Sequence, residues 1–391
     1  MWNTTLRLLF LTAILSPYAW ACQVPVFRYA LERWESDTYQ LFLTSPGALD
    51  KPQTEWVKEF QQKLKHTNLK LNIIDTSRLS EAQLWQLPEI DTSAKEARLQ
   101  LFRPNNEQQS SGQTKPILNT AFNEVNLNHL IDSPARRHIV DRLLEGSSCV
   151  WLIIHNNQEA KAKEIQSELN THLRTIEKQI SIPEGIIGTA ERHKINEDTD
   201  LEDVLRSQIP LKIAFSSHII NTQTPEEAAF VAQLIHSSGS HATLQSEPLV
   251  IPVFGRGRKL PAMPSSMLSL ETLLRGCQYL CGACSCQVKE QNPGADLIIN
   301  ENWSSHLTSG LAVIDKELPP LAGVGDLTKS HGNTSSPAPK QDAELGNEDQ
   351  PNVIHAVEEP ANQRFPIWIT LASLFAIITL CSILAVKRKA S

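Results

Sequence analysis

The sequence predicts an α/β ectodomain held to a membrane by one C-terminal helix. Three observations point there. Helix-like and strand-like stretches alternate from Pro25 to about Asn302, residues 1–21 have the layout of an export signal, and Phe365–Val386 runs for 22 residues without a charge. A charged fraction of 20% and a hydrophobic fraction of 41% are globular values that permit a real core. The net charge of −7 speaks against a nucleic-acid partner, which calls for a basic stripe.

At the start, Arg7 precedes the apolar run Leu8–Leu15, Ser16-Pro17 breaks it, and Ala19-Trp20-Ala21 supplies the small-x-small pattern of a cleavage site. Residues 1–21 therefore read as a signal peptide, too short to span a bilayer. Cleavage leaves Cys22 as the mature N-terminus, a position where a thiol can carry a lipid. An N-terminal α/β domain is expected over 22–146. In it "YQLFL" from Tyr39 and "LKLNII" from Leu69 read as strands flanking "TEWVKEFQQKLK", whose Trp56, Phe60 and Leu64 share one helical face. "SPARRHIVDRLLEG" offers Ser133 as cap, Pro134 at the first helical position and Gly146 as stop.

A C-terminal α/β domain is expected over 147–314. "CVWLII", Cys149 to Ile154, suits a strand buried on both faces. The next helix carries Ile165, Leu169, Leu173, Ile176 and Ile180 on one stripe. "LKIAFSS" from Leu211 reads as a strand. "TPEEAAFVAQLIHSSG" reads as a helix with a Thr224/Glu227 capping box, Pro225 in its first turn and Gly239 at its end. "PLVIPVFGRGRKL" reads as a strand turning at Gly255–Gly257, and a last helix runs from Ser269 into a cysteine cluster.

Residues 315–364 are rich in Pro, Gly, Ser, Asn and acids and lack apolar periodicity, which predicts a disordered tether. At a rise of about 1.5 Å per residue, Phe365–Val386 covers ~33 Å, enough for a hydrocarbon core of ~30 Å. The "KRK" at Lys387–Lys389 makes 387–391 a cytoplasmic tail and the chain a type I single-pass protein. The ectodomain then lies outside the cytoplasm, in the periplasm of a Gram-negative-type cell, facing an extracytoplasmic or membrane-protein partner.

The β-α-β-α-β-β-α order of the second half resembles a thioredoxin fold, with Pro252 where that fold often has a cis proline. The first half is a looser version, and "VPVF" at Val24–Phe27 is echoed by "IPVF" at Ile251–Phe254. Two thioredoxin-like halves are the expected architecture, with a single larger mixed sheet as the alternative. The stretches "VPVFRYALERW" from Val24 and "CGACSCQVKEQNPG" from Cys281 are similar to a group of exported, membrane-anchored bacterial proteins. That resemblance implies the topology and no particular activity.

The chemistry concentrates in "CQYLCGACSC", Cys277 to Cys286. As a thiol–disulfide oxidoreductase, the chain would use Cys281 and Cys284, a C-x-x-C whose reactive thiolate needs a lowered pKa. Cys281 ends a helix instead, where partial negative charge opposes a thiolate. As a zinc or copper site, Cys277, Cys281, Cys284 and Cys286 would be the ligands, although structural zinc sites usually take two separated pairs. Leu270, Leu273, Leu274, Cys277, Cys281 and Cys284 share one helical face, which favours a core role. Outside the cytoplasm such thiols tend to pair, so Cys22, Cys149, Cys277, Cys281, Cys284 and Cys286 are disulfide candidates. Cys381 falls in the apolar C-terminal run and reads as inert. No bound cofactor is expected if the thiols are structural. The reading of function is a non-catalytic binding or scaffold module, with redox exchange second and metal binding third.

Overall fold

The computed structural model describes residues 22–80, 83, 87–104, 115–236, 240–284 and 288–307. The expected signal peptide 1–21, the predicted helix end Gly239, Cys286, the expected tether 315–364, the apolar run Phe365–Val386 with Cys381, and the expected tail 387–391 lie outside the described residues. The chain enters as β1 (Cys22–Pro25) and passes straight into α1 (Val26–Arg33). β2 (Tyr39–Ser45), α2 (Lys51–Lys63) and β3 (Leu69–Asp75) form a parallel β-α-β unit. β4 (Arg98–Phe102) and β5 (Leu118–Ala121) extend it antiparallel, giving the order β3-β2-β4-β5.

α3 (Glu124–Ile131) and α4 (Pro134–Leu144) lead to a second sheet. There β6 (Cys149–His155), α5 (Glu159–Glu177) and β7 (Phe215–Asn221) make another parallel unit. α6 (Ala228–Ile235) and α7 (Ser240–Ser246) precede β8 (Leu249–Phe254), which runs antiparallel to β6. β9 (Arg258–Lys259) and β10 (Met263–Pro264) both pair with β8. α8 (Leu270–Cys281), β11 (Ala283–Cys284) and β12 (Ala295–Asp296) complete the unit, in the order β12-β9-β8-β6-β7.

The apolar pattern explains the layering. Every residue of β6 is buried, so both faces of that strand must be covered. Cys149, Trp151 and Ile153 meet the α5 stripe of Ile165, Leu169, Leu173 and Ile176. Val150, Leu152 and Ile154 meet Ala135, Ile139 and Leu143 of α4 and the apolar face of α6. β7 is the edge strand between α4 and α5, and its side chains divide between those two faces.

Several expectations are corrected here. In place of two thioredoxin-like halves with a transmembrane helix, the described residues form one α/β unit with two mixed sheets and a two-stranded ribbon, β1-β11. No helix among the described residues is long and apolar enough to cross a membrane. The longest described helix, α5, alternates its apolar stripe with charged residues because only one face is covered. The N-terminal residues do not stay with the first sheet: Cys22, Val24, Phe27 and Trp34 share a core with α5 and α8.

Pro252 lies within β8 opposite Trp151, and no cis peptide bond occurs among the described residues. β7 begins at Phe215 rather than Leu211. The Thr224 capping box does not form. Glu227 is instead 4% exposed and accepts the Ala135 N–H at 2.7 Å, so its carboxylate satisfies the first turn of α4. Ser133 caps the same turn through Arg136 N–H, as its position predicts.

Arg136 fastens α4 to the rest. Its buried guanidinium donates to the carbonyls of Ile298 at 2.9 Å, His129 at 3.2 Å and Leu130 at 3.0 Å, and lies over the Phe230 ring. Arg136→Met leaves those carbonyls short of donors and is expected to cost about 3 kcal/mol or more. The neighbouring exposed pair Arg137–Asp132 serves as control, with Arg137→Met expected within about 0.5 kcal/mol. Urea unfolding midpoints of the two variants check both values.

Candidate functional site

α8 delivers two cysteines to the interior because its apolar face recurs at helical spacing. Ser269 caps the helix by accepting from Thr272 N–H, and Leu273, Cys277, Leu280 and Cys281 are its buried residues. Gly282 ends it in an extended conformation, and a Cβ there would lie 2.8 Å from the Gln278 carbonyl oxygen. The chain then forms β11, where Cys284 sits opposite Cys22 of β1, and Val26 N–H donates to the Gly282 carbonyl at 3.1 Å. The two stretches that carried the family resemblance therefore meet as one ribbon.

The five described cysteines are all buried, and Cys22, Cys149, Cys277 and Cys281 are free thiols. Cys149 at the start of β6 lies within electrostatic reach of Cys277 and Cys281, while Cys22 lies within reach of Cys284. Cys284 stands opposite Cys22 across the ribbon, and all five thiols border one apolar core with α5 and α8. Burial pushes Cys281 up to about 12, against a smaller downward pull from a Ser148 hydrogen bond. Burial likewise takes Cys22 to about 12, and its thiol donates to the Glu202 carbonyl at 3.2 Å. Cys149 and Cys277 are raised further, again first by burial. Among the described residues no group of three or more His, Cys, Asp or Glu is placed to hold a metal ion. Cys286, the fourth ligand of the zinc or copper alternative, lies outside them.

The "GRGR" stretch is a turn with buried arginines. Gly255 and Gly257 have φ of 62° and 99°, the left-handed region that favours glycine. Arg256 donates to the Leu31 carbonyl at 2.8 Å and pairs with Glu35, while Arg258 pairs with Asp296 at 3.0 Å. These guanidiniums hold the molecule together and are not open to an anion.

A different place carries side chains that the sequence reading did not bring together. Along the outer edge of β7 a cleft of about 470 Å³ runs between α4 and α5. His138 and Arg142 come from α4, Asn170, Arg174 and Glu177 from α5, and Ser216 and Ser217 from β7. His138 stacks on His218 with centroids 4.4 Å apart and planes at 23°. The buried atoms His138 Nε2, Arg142 Nε and Ser216 Oγ have no hydrogen-bond partner. Only the helical periodicity of α4, which puts positions 138 and 142 one turn apart, could have signalled the pair.

Compared with known proteins, the chain matches no protein-family model, and no curated protein matches it.

The histidines here stay neutral. Burial, with the Arg142 guanidinium next, lowers His138, and burial with His138 takes His218 from 6.5 to about 4. His236 falls to about 4 through burial and then the charge of Arg103. Well above pH 6.5 neither folded nor unfolded chain binds these protons, so the shifts have no effect on stability there. As pH falls from 6.5 towards 4, the unfolded chain takes protons that the fold refuses, and stability is lost. Urea midpoints measured across that range are expected to decline with falling pH, and His218→Gln is expected to flatten the decline.

Proposed function

We propose that the chain is a non-catalytic binding module whose described cysteines serve the core. One observation carries this reading: Cys281 and Cys284 are buried at 0% and 1% exposure. A thiol–disulfide oxidoreductase attacks through an accessible thiolate, usually one of lowered pKa. At a pKa of about 12 the thiolate fraction of Cys281 near pH 7 is on the order of one in 10⁵. Its place at the C-terminal end of α8 adds to the disadvantage, since the last carbonyls present partial negative charge. Metal binding through the same thiols would need deprotonated ligands, and burial works against deprotonation.

The test is native labelling of the whole protein with iodoacetamide, followed by peptide mapping, beside an insulin-reduction assay. Cys22, Cys149, Cys277, Cys281 and Cys284 are expected to stay unlabelled until denaturant is added, with no reductase turnover. Rapid native labelling of Cys281 or Cys284, together with turnover that Cys281→Ser abolishes, would replace the binding module with the enzyme.

A further inference from the structure

We propose that the cleft along the β7 edge binds a small oxyanion, a carboxylate or a phosphate, through Arg142, Arg174 and Ser216. The proposal rests on the binding-module reading and names its ligand class. The first support is the set of unpartnered polar atoms. His138 Nε2, Arg142 Nε and Ser216 Oγ are buried, come from two separate elements, and line or adjoin one cleft. A buried polar group without a hydrogen bond costs about 1–3 kcal/mol, and folded proteins rarely leave one so. Three around a single opening mark a place where a partner supplies the missing bonds.

Charge decides what kind of partner. The lining holds two guanidiniums, Arg142 and Arg174, against one carboxylate, Glu177. Glu177 is already engaged, since its Oε1 accepts the Phe215 N–H at 2.8 Å. Arg142 donates its Nη2 to Glu145 on the exposed rim at 2.8 Å, which leaves the buried Nε as its inward donor. His138 and His218 are held neutral, so the excess positive charge is that of the arginines. Guanidinium with a flanking hydroxyl is the donor set that an oxyanion fits, and such charge-assisted bonds are the strong ones.

The shape agrees. About 470 Å³ lies within the range of small-molecule sites, roughly 300–1,000 Å³. Leu173 and Phe215 give the cleft an apolar wall for the carbon part of an acid, and Asn170 and Gln166 offer amides beside it. A neighbouring hydroxyl is committed: Ser217 donates to Asn170 Oδ1 at 2.9 Å, leaving Ser216 as the unspent one.

The experiment titrates the full chain with inorganic phosphate and, separately, with benzoate at fixed ionic strength, following the ring resonances of His138 and His218 by NMR. Saturable shifts of both rings with at least one probe are expected. Arg142→Gln is expected to weaken the binding about tenfold or more, and Arg174→Gln and Ser216→Ala to weaken it less. Arg137→Gln, at an exposed arginine of α4 outside the cleft lining, is expected to leave binding intact, and thermal melts confirm that each variant is folded. Preference for benzoate assigns a carboxylate with an apolar body; preference for phosphate assigns a phosphate. Absence of saturable shifts with both probes, or shifts indifferent to Arg142→Gln in a folded variant, overturns the site. The thiol labelling reads independently: inert thiols with no anion binding remove only this cleft, and reactive thiols with intact anion binding remove only the binding-module reading.

Discussion

The described structure depends on one buried ion pair in its first helix. Arg28 and Glu32, one turn apart on α1, meet at 2.8 Å with side-chain exposures of 1% and 0%. Glu32 also accepts from Arg206 N–H at 2.8 Å, from Ser207 N–H at 3.0 Å and from the Ser207 hydroxyl at 3.0 Å. Arg28 donates to the Ile209 carbonyl at 2.6 Å, and burial first of all pulls its pKa down. Taking two charges out of water costs several kcal/mol per ion unless every remaining bond is made. Here the bonds go to the backbone of 206–209, so the pair ties a long connection between α5 and β7 to the N-terminus. Arg33 repeats the device one turn later through the Glu202 and Val204 carbonyls.

That anchoring sets the environment of the thiols. With α1 fixed, β1 lies where it can pair with β11, and Cys22 closes over Cys284. Ala30 presses against the turn after β8, where a Cβ on Gly255 would come within 2.7 Å of it. The same helix offers the Leu31 and Glu32 carbonyls to Arg256. The thiols are therefore packed away: Cys284, in the stretch that looks reactive in sequence, is covered by a strand from the other end of the described residues. The β7 edge is the converse. No strand covers its outer side among the described residues, and three buried polar atoms beside it are short of partners.

Much of the fold was legible because local pattern and burial agree. The unbroken apolar run at 149–154 is β6, the stripe from Ile165 to Ile176 is the buried face of α5, and Ser133 and Ser269 cap the helices they precede. What failed was long-range. Glu227 looked like a local cap but is spent on α4, where its carboxylate accepts the Ala135 N–H. The ribbon between β1 and β11 has no signal in either strand alone, since four residues and two residues carry too little periodicity to reveal a partner. Of the candidate sites, the cysteine cluster was visible as spacing, but the pairing of Cys284 with Cys22 across the ribbon was not. The β7 cleft was invisible, since His138, Arg142 and Ser216 look like solvated positions until α4 and β7 are side by side.

The most direct measurement is the effect of Glu32→Gln on stability and on native alkylation of Cys22 and Cys284. Left facing a neutral partner, the buried Arg28 guanidinium is expected to destabilise the fold by about 3–5 kcal/mol. The ribbon is then expected to open often enough for iodoacetamide to reach both thiols under native conditions. A variant that unfolds at the parent's urea midpoint and keeps both thiols protected would contradict the account, because the N-terminal helix would then be held by something other than this pair.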